Sequence, residues 1–378
     1  MNPPVPLLRR AVWLAAGLVA FAFTFEATAR LEDLIRYGMP IAAPYGSEAD
    51  LVVHDSLGVH GRPGAHYLKW ALNSLGTRGP EVSPQPGPGV LRVVTTGASE
   101  TFGQSEGPGQ EYPRQLEDSL RTRLVHAGLP PYRAAEVLNA AFFGMSLPTA
   151  TQDVRLRVAG FKPRVVVLYP TSVQYLHEVL PAAAPPLAGP TEVPGVWASL
   201  RPRTFTRLRE ELKRLAPVAW RERLWRAETR RQLAAHEPGW RFAAMPQDRL
   251  ELFESDLRAF VGAVRAIGAE PVLATHANRF VGASVSDSSL LSAWGRFYPR
   301  AEGVVILAFD SAGADVTRRV AADSGVVVAD IRSALRGCGN CFADYAHFTD
   351  AGAARAAGTL ATAISDLLAG NNAVMVRP

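Results

Sequence analysis

The sequence predicts an α/β fold of three layers, α/β/α, with helices on both faces of a parallel sheet. Two observations carry that expectation. Short, wholly apolar runs rich in β-branched residues recur along the chain, as in PRVVVLYP (Pro163–Pro170), the pattern of strands buried on both faces. Between them lie longer segments with apolar residues at helical spacing, such as Tyr112, Leu116, Leu120 and Leu124. Strands and helices that alternate in this way build parallel βα units, and the site of such a sheet lies at the carboxyl ends of its strands.

Ahead of the sheet, Arg9 and Arg10 precede the apolar run AVWLAAGLVAFAFTF, Ala11–Phe25. Residues 1–30 therefore read as a signal anchor or a signal peptide, with ATA at Ala27–Ala29 as the cleavage site in the second case. LEDLIRYG extends the helical pattern beyond that site and favours the uncleaved anchor. Positive charge before the run keeps that end cytoplasmic. The expected location is membrane-anchored and extracytoplasmic, periplasmic or on the outer face, through a single N-terminal span, or secreted if the signal is cleaved.

Residues 31–89 are rich in Gly and Pro and read as an extended, loop-rich lead-in that ends at PQPGPG (Pro84–Gly89). The main domain is expected over residues 90–370. VLRVVTTG (Val90–Gly97) is its first strand, EYPRQLEDSLRTRLVHAG an amphipathic helix, AAEVLNAAF the second strand and LPTATQDVRLRVAGF the next helix. PRVVVLYP is the third strand. After an insertion come the helix DRLELFESDLRAFVGAVRAIGA, the strand EPVLATHA, the helix DVTRRVAADSG, the segment VVVADIRSAL as a strand running into a turn, and the closing helix AGAARAAGTLATAISDLLAG.

The insertion, about residues 180–247, begins Pro- and Ala-rich and turns strongly basic. Leu208, Leu212, Leu215, Trp220 and Leu224 mark an apolar side among its arginines. It reads as a helical cap over the domain, or as a basic amphipathic surface facing a membrane or an anionic substrate.

Composition narrows the function classes. The 378 residues carry 40 Lys and Arg against 35 Asp and Glu, a net charge of +5. Lys69, Lys162 and Lys213 are the only lysines, so the basic excess is arginine. No zinc knuckle, RNP-like aromatic motif or basic zipper accompanies it, and no nucleic-acid partner is expected. GxxxxGK[ST] is absent, so phosphate-cofactor chemistry is not indicated. The two cysteines, Cys338 and Cys341, lie in CGNC with only His347 near them in sequence, too few ligands for zinc. They read as a small local disulfide in an oxidising compartment, or as free thiols. No cofactor and no metal site is expected.

Two stretches carry chemistry. TTGASETFG (Thr95–Gly103) begins directly after the apolar run LRVV. Gly97 and Gly103 let the chain turn tightly and present Ser99 at the end of the first strand. Residues 100–103 open a helix there whose backbone N–H groups face developing negative charge. Near the other end, FADYAHFTDAGA sets Asp344 three residues before His347. That spacing lets Asp344 accept from one imidazole nitrogen while the other faces a serine. Ser99, His347 and Asp344 are thus candidate nucleophile, base and orienting carboxylate.

GASETFG followed at long range by DYAHFTDAG resembles the first and last blocks of the SGNH/GDSL hydrolase superfamily. NAAFFGMS (Asn139–Ser146) resembles the second block, and HDSLGVHGRPG and NSLGTRGPEV resemble the lead-in of membrane-anchored bacterial members. The similarity covers about residues 50–370 apart from the basic insertion. It implies a flavodoxin-like sheet, Ser99 as nucleophile, His347 as general base, Asp344 as its orienter, and an oxyanion hole from the N–H groups of Ser99 and Gly144. Two positions depart from the pattern. Ala98 stands where the family has the aspartate of GDS. The third block, VVVLYPTSVQYLHE, lacks the Asn of Gly-x-Asn-Asp, and Ser172 or Gln174 is the candidate replacement donor. His276 and Asn278, in ATHANRF, are read at the site edge as candidate substrate-binding residues.

The resemblance implies an esterase that forms an acyl-serine on O-acyl, for example O-acetyl, esters of cell-envelope or exported polysaccharide. The expected partners are an acylated carbohydrate or small ester and the membrane. An O-acyltransferase using the same three residues is the first alternative. A catalytically degenerate carbohydrate-binding or assembly protein is the second, and the missing third-block Asn favours it.

Overall fold

The computed structural model describes residues 7–44, 46–127, 130–188, 202–204, 207–208, 212, 215, 217–237, 239–282 and 288–375. Much of the basic insertion lies outside the described residues.

The chain opens with helix α1 (Leu7–Tyr37). Its Trp13, Leu14, Leu18, Phe21 and Phe23 are exposed, and α1 is long and apolar enough to cross a membrane. The lead-in is more ordered than its Gly and Pro content implies. It folds into two small antiparallel hairpins, β1 (Val52–Asp55) with β2 (Gly58–Gly61) and β3 (His66–Tyr67) with β4 (Trp70–Ala71). Strands of two to four residues broken by Gly are too short for an alternating pattern to reveal them.

Five strands build the main sheet: β5 (Val90–Gly97), β6 (Ala134–Asn139), β7 (Val165–Tyr169), β8 (Glu270–Ala274) and β9 (Val327–Ala329). All pairs are parallel and the order is β6-β5-β7-β8-β9. Numbered within the sheet this is 2-1-3-4-5, the flavodoxin-like arrangement, whose ligand crevice opens where the order reverses beside the first strand.

Alternation along the strands assigns the two cores. Val94, Leu138, Val166, Leu168 and Leu273 point to one face. They pack there against α4 (Leu147–Leu156), α6 (Gln247–Ala266) and α8 (Gly303–Ser324). Val93, Val137, Val165, Val167 and Val272 point to the other, against α3 (Tyr112–Ala127) and α10 (Asp350–Met375). The intervening helices are α2 (Ser99–Phe102), α5 (Val218–Ala234), α7 (Ser288–Gly295) and α9 (Ile331–Ala334).

One element differs from the sequence expectation. Helix α8 starts at Gly303, well before DVTRRVAADSG, because GVVILAFDSAGA is apolar around most of its circumference and buries more than one stripe. The last strand ends at Ala329, where the Asp330 side chain accepts from Ser333 N–H and caps α9.

Candidate active site

β5 delivers Ser99 to the crevice. A Cβ on Gly97 would collide with Thr101 Oγ1 and the Tyr169 carbonyl, so only glycine lets the strand turn this close to β7. Ser99 is the first residue of α2, and Gly103 closes that helix with φ of +90°. The lead-in then holds the far end. Arg78 donates to the Phe102 carbonyl and, at 2.7 Å, to that of Gly103, while Trp70 Nε1 donates to Gly103 at 3.3 Å. Asn139, at the end of β6, donates to the Thr101 carbonyl at 2.9 Å.

The loop before α10 delivers the other two residues. Phe342 and Phe348 bridge across it, and the Cys338–Cys341 disulfide precedes it. Asp344 Oδ1 accepts from the N–H groups of Ala346 and His347, both at 2.9 Å. Its Oδ2 lies 2.8 Å from His347 Nδ1, and His347 Nε2 lies 2.9 Å from Ser99 Oγ. The three residues singled out from the sequence therefore stand in one hydrogen-bonded line.

Burial pushes the Asp344 carboxyl up, but the hydrogen bonds from His347 and the two backbone N–H groups outweigh it and hold the group below the usual carboxylate range. Burial opposes protonation of His347. The Asp344 hydrogen bond and the negative charges of Glu100, Asp344 and Glu106 more than offset it and raise the imidazole above its ordinary value. With Asp344 accepting from Nδ1–H, the neutral imidazole presents a lone pair at Nε2 to the serine hydroxyl.

Ser99 and His347 open into a cavity of about 840 Å³ that Gly144, Thr171 and Gln174 also line. Ser99 and Gly144 both line the cavity, and neither N–H donates to a protein acceptor among the described residues. The third-block positions divide. Ser172 is buried against Gly313 of α8 and does not line the cavity, which corrects the expectation that its hydroxyl faces the site. Gln174 lines the cavity, and its Nε2 donates to the Met145 carbonyl at 3.2 Å. Thr171, which the sequence reading passed over, lines the cavity with a buried Oγ1 that has no protein partner.

His276 and Asn278 do not reach the cavity. They are 2% and 1% exposed, which corrects their reading as substrate-binding residues. Both serve Asp310 of α8: His276 Nδ1 bonds to Oδ1, and Asn278 Nδ2 donates to Oδ2 at 2.6 Å. Arg332 also pairs with Oδ2, at 2.5 Å. On its other side His276 Nε2 lies 3.4 Å from Glu100 Oε1, and Glu100 Oε2 lies 3.3 Å from Ser99 Oγ. Asp310 and Glu100 were missed from sequence. Asp310 did carry a signal, as a lone carboxylate inside an apolar helix must find buried partners. Among the described residues no group of His, Cys, Asp and Glu is arranged to hold a metal ion.

No protein-family model and no curated protein matches the chain. Solved structures do. An alpha/beta hydrolase enzyme from the metagenome of Lake Arreo, Spain, is similar over 74% of this chain and 96% of its own, at 16% identity and a TM-score of 0.42. A candidate SGNH hydrolase from Slackia heliotrinireducens is similar over 73% and 99%, at 17% identity and a TM-score of 0.38. A variant of an acetyl xylan esterase from Geobacillus stearothermophilus is similar over 72% and 94%, at 13% identity and a TM-score of 0.41.

Proposed function

We propose that the protein is a serine esterase of SGNH type that works through an acyl-enzyme. The observation that carries this reading is the line Asp344–His347–Ser99, with contacts of 2.8 and 2.9 Å, beside two unused backbone N–H groups in one cavity. His347 Nε2 takes the Ser99 proton as Oγ attacks the ester carbonyl carbon. The oxyanion that forms is received by the N–H groups of Ser99 and Gly144 and by the Thr171 hydroxyl. The tetrahedral intermediate collapses, the C–O bond to the leaving alcohol breaks, and His347 returns its proton to that oxygen. Water then attacks the acyl-serine with His347 again as base.

Phe142, Phe143, Phe297 and Tyr345 line the same cavity together with Gln174 and Thr149. Aromatic faces interleaved with hydrogen-bonding groups suit an acylated sugar ring. We read the substrate as an O-acyl, for example O-acetyl, ester of a cell-envelope or exported polysaccharide. Helix α1, with Arg9 and Arg10 at its start, acts as the membrane anchor of an extracytoplasmic domain in this reading.

The test is turnover of p-nitrophenyl acetate and of an acetylated oligosaccharide by wild type and Ser99→Ala. Release of acetate that Ser99→Ala lacks supports the esterase. Acetate appearing on an added oligosaccharide instead of in water assigns an O-acyltransferase. Oligosaccharide binding equal in both proteins, with no acetate released by either, assigns a binding protein.

A further inference from the structure

Ser99 has two hydrogen-bond acceptors, and only one leads to reaction. His347 Nε2 lies 2.9 Å from its Oγ, and Glu100 Oε2 lies 3.3 Å from it. Glu100 is 4% exposed and lines the edge of the cavity, so its carboxylate depends on protein partners. What holds it is a chain of hydrogen-bonded ionisable groups: His276 bonds Glu100 with one ring nitrogen and Asp310 with the other, and Asp310 is held by Arg332 and Asn278. The chain draws on α2, the turn after β8, α8 and α9. Four such groups in the interior are costly unless every member is paired, and the esterase cycle described above uses none of them.

We propose that Glu100 is a second hydrogen-bond acceptor for Ser99, held in place by His276 and Asp310, and that it competes with His347 for the serine hydroxyl. This rests on the reading of Ser99 as the nucleophile. When His347 carries a second proton, Nε2–H donates to Ser99 Oγ and the hydroxyl turns to Glu100 Oε2. When that proton leaves to solvent, the hydroxyl turns to Nε2 and the nucleophile is armed. Glu100 thus acts as a positioning residue that stabilises the resting imidazolium, and it moves the onset of activity to higher pH.

The surrounding charges agree with this assignment. His347 is faced by Asp344 and Tyr345 on its own loop, by Glu100 on α2 and by Glu106 on the loop that follows α2. Glu100 is faced by His276 and His347. Burial pushes the Glu100 carboxyl up, but the His276 hydrogen bond and the charges of His347 and His276 hold it below its ordinary value. Burial opposes charging His276, yet Asp310 and Glu100 together push its imidazole up to about 9. Both shifts favour the charged forms of Glu100 and His276.

The test is an NMR titration of His347 in protein carrying ¹³C-labelled histidine, for wild type, Glu100→Gln, His276→Gln and the double variant. Removing the Glu100 charge lowers the His347 midpoint by about one pH unit. His276→Gln leaves Glu100 without its cation, so Glu100 takes up a proton and the midpoint falls by the same amount. The double variant falls no further than either single one. An unchanged midpoint in Glu100→Gln, or a double-variant shift equal to the sum of the singles, overturns the proposal. If Glu100→Gln loses its native spectrum, His276→Gln decides alone, with a lowered midpoint supporting the proposal and an unchanged one ending it. The titration needs no turnover, so a shifted midpoint in a protein without esterase activity keeps the coupling and removes the esterase reading. Turnover without any shift does the reverse.

Discussion

Asp344 holds His347 twice, through the ring at 2.8 Å and through the backbone N–H at 2.9 Å, using a different carboxylate oxygen for each. One side chain thereby sets both the imidazole's orientation and the loop that carries it. Asp344→Asn keeps an oxygen for the backbone but turns an amide N–H toward Nδ1. The ring must then carry its proton on Nε2, where it cannot accept from Ser99. We expect kcat to fall by about 10⁴-fold with little change in thermal unfolding. An Asn variant with a tenth or more of wild-type kcat would show that Asp344 does not set the tautomer.

Thr171 lines the cavity, and its hydroxyl oxygen has no protein partner among the described residues. Thr171→Val keeps the shape and removes the donor. The expected result is a fall in kcat of about 10²–10³-fold with KM little changed. Ser172→Ala, behind the cavity wall, should leave kcat within a few fold. The opposite ranking would return the role to Ser172.

Arg78 couples the lead-in to the nucleophile helix. It is buried, donates to the carbonyls at the end of α2 and makes an ion-pair contact with buried Glu111 at 3.1 Å, although that Glu111 oxygen has no aligned hydrogen bond. Arg78→Met leaves the Glu111 charge buried and alone, and should lower stability to urea by about 3–5 kcal/mol. Adding Glu111→Met should recover most of that loss. A single variant within 1 kcal/mol of wild type would show that the pair is not needed for the fold.

Glu106 should make stability depend on pH. Burial pushes its carboxyl up from the ordinary 4.5 to about 7. Between those values the unfolded chain has released the proton while the folded chain keeps it. Stability from this group therefore falls as pH rises from 4.5 through about 7. Glu106→Gln removes that slope and should be more stable than wild type above pH 7 by about 3 kcal/mol. Urea midpoints from pH 5 to 8.5 measure it, and parallel profiles for the two proteins would contradict the assignment.

The five strands were legible because short apolar runs such as VVVLY alternate with longer amphipathic segments, and the spacing of Tyr112, Leu116, Leu120 and Leu124 marked α3. The early start of α8 was not, since a helix buried on several sides loses its period. Ser99, Asp344 and His347 could be picked out because they sit at a strand-to-helix turn and in a loop, at motif spacing, in a chain with eight histidines. Their neighbours Glu100 and Thr171 read as ordinary helix-start and turn residues. What distinguishes them is burial and the presence or lack of a partner, which the fold alone decides. His276 and Asn278 were noticed but misplaced, because a loop at a strand's end can turn inward as readily as toward the cavity.

The most direct measurement of the central claim is fluorophosphonate labelling of the folded protein, followed by mass mapping of the adduct. The account predicts one adduct, on Ser99, absent from the unfolded protein and abolished by His347→Ala, which removes the base and leaves the serine in place. A folded wild type that takes no adduct at neutral pH, or takes it on another residue, would contradict it.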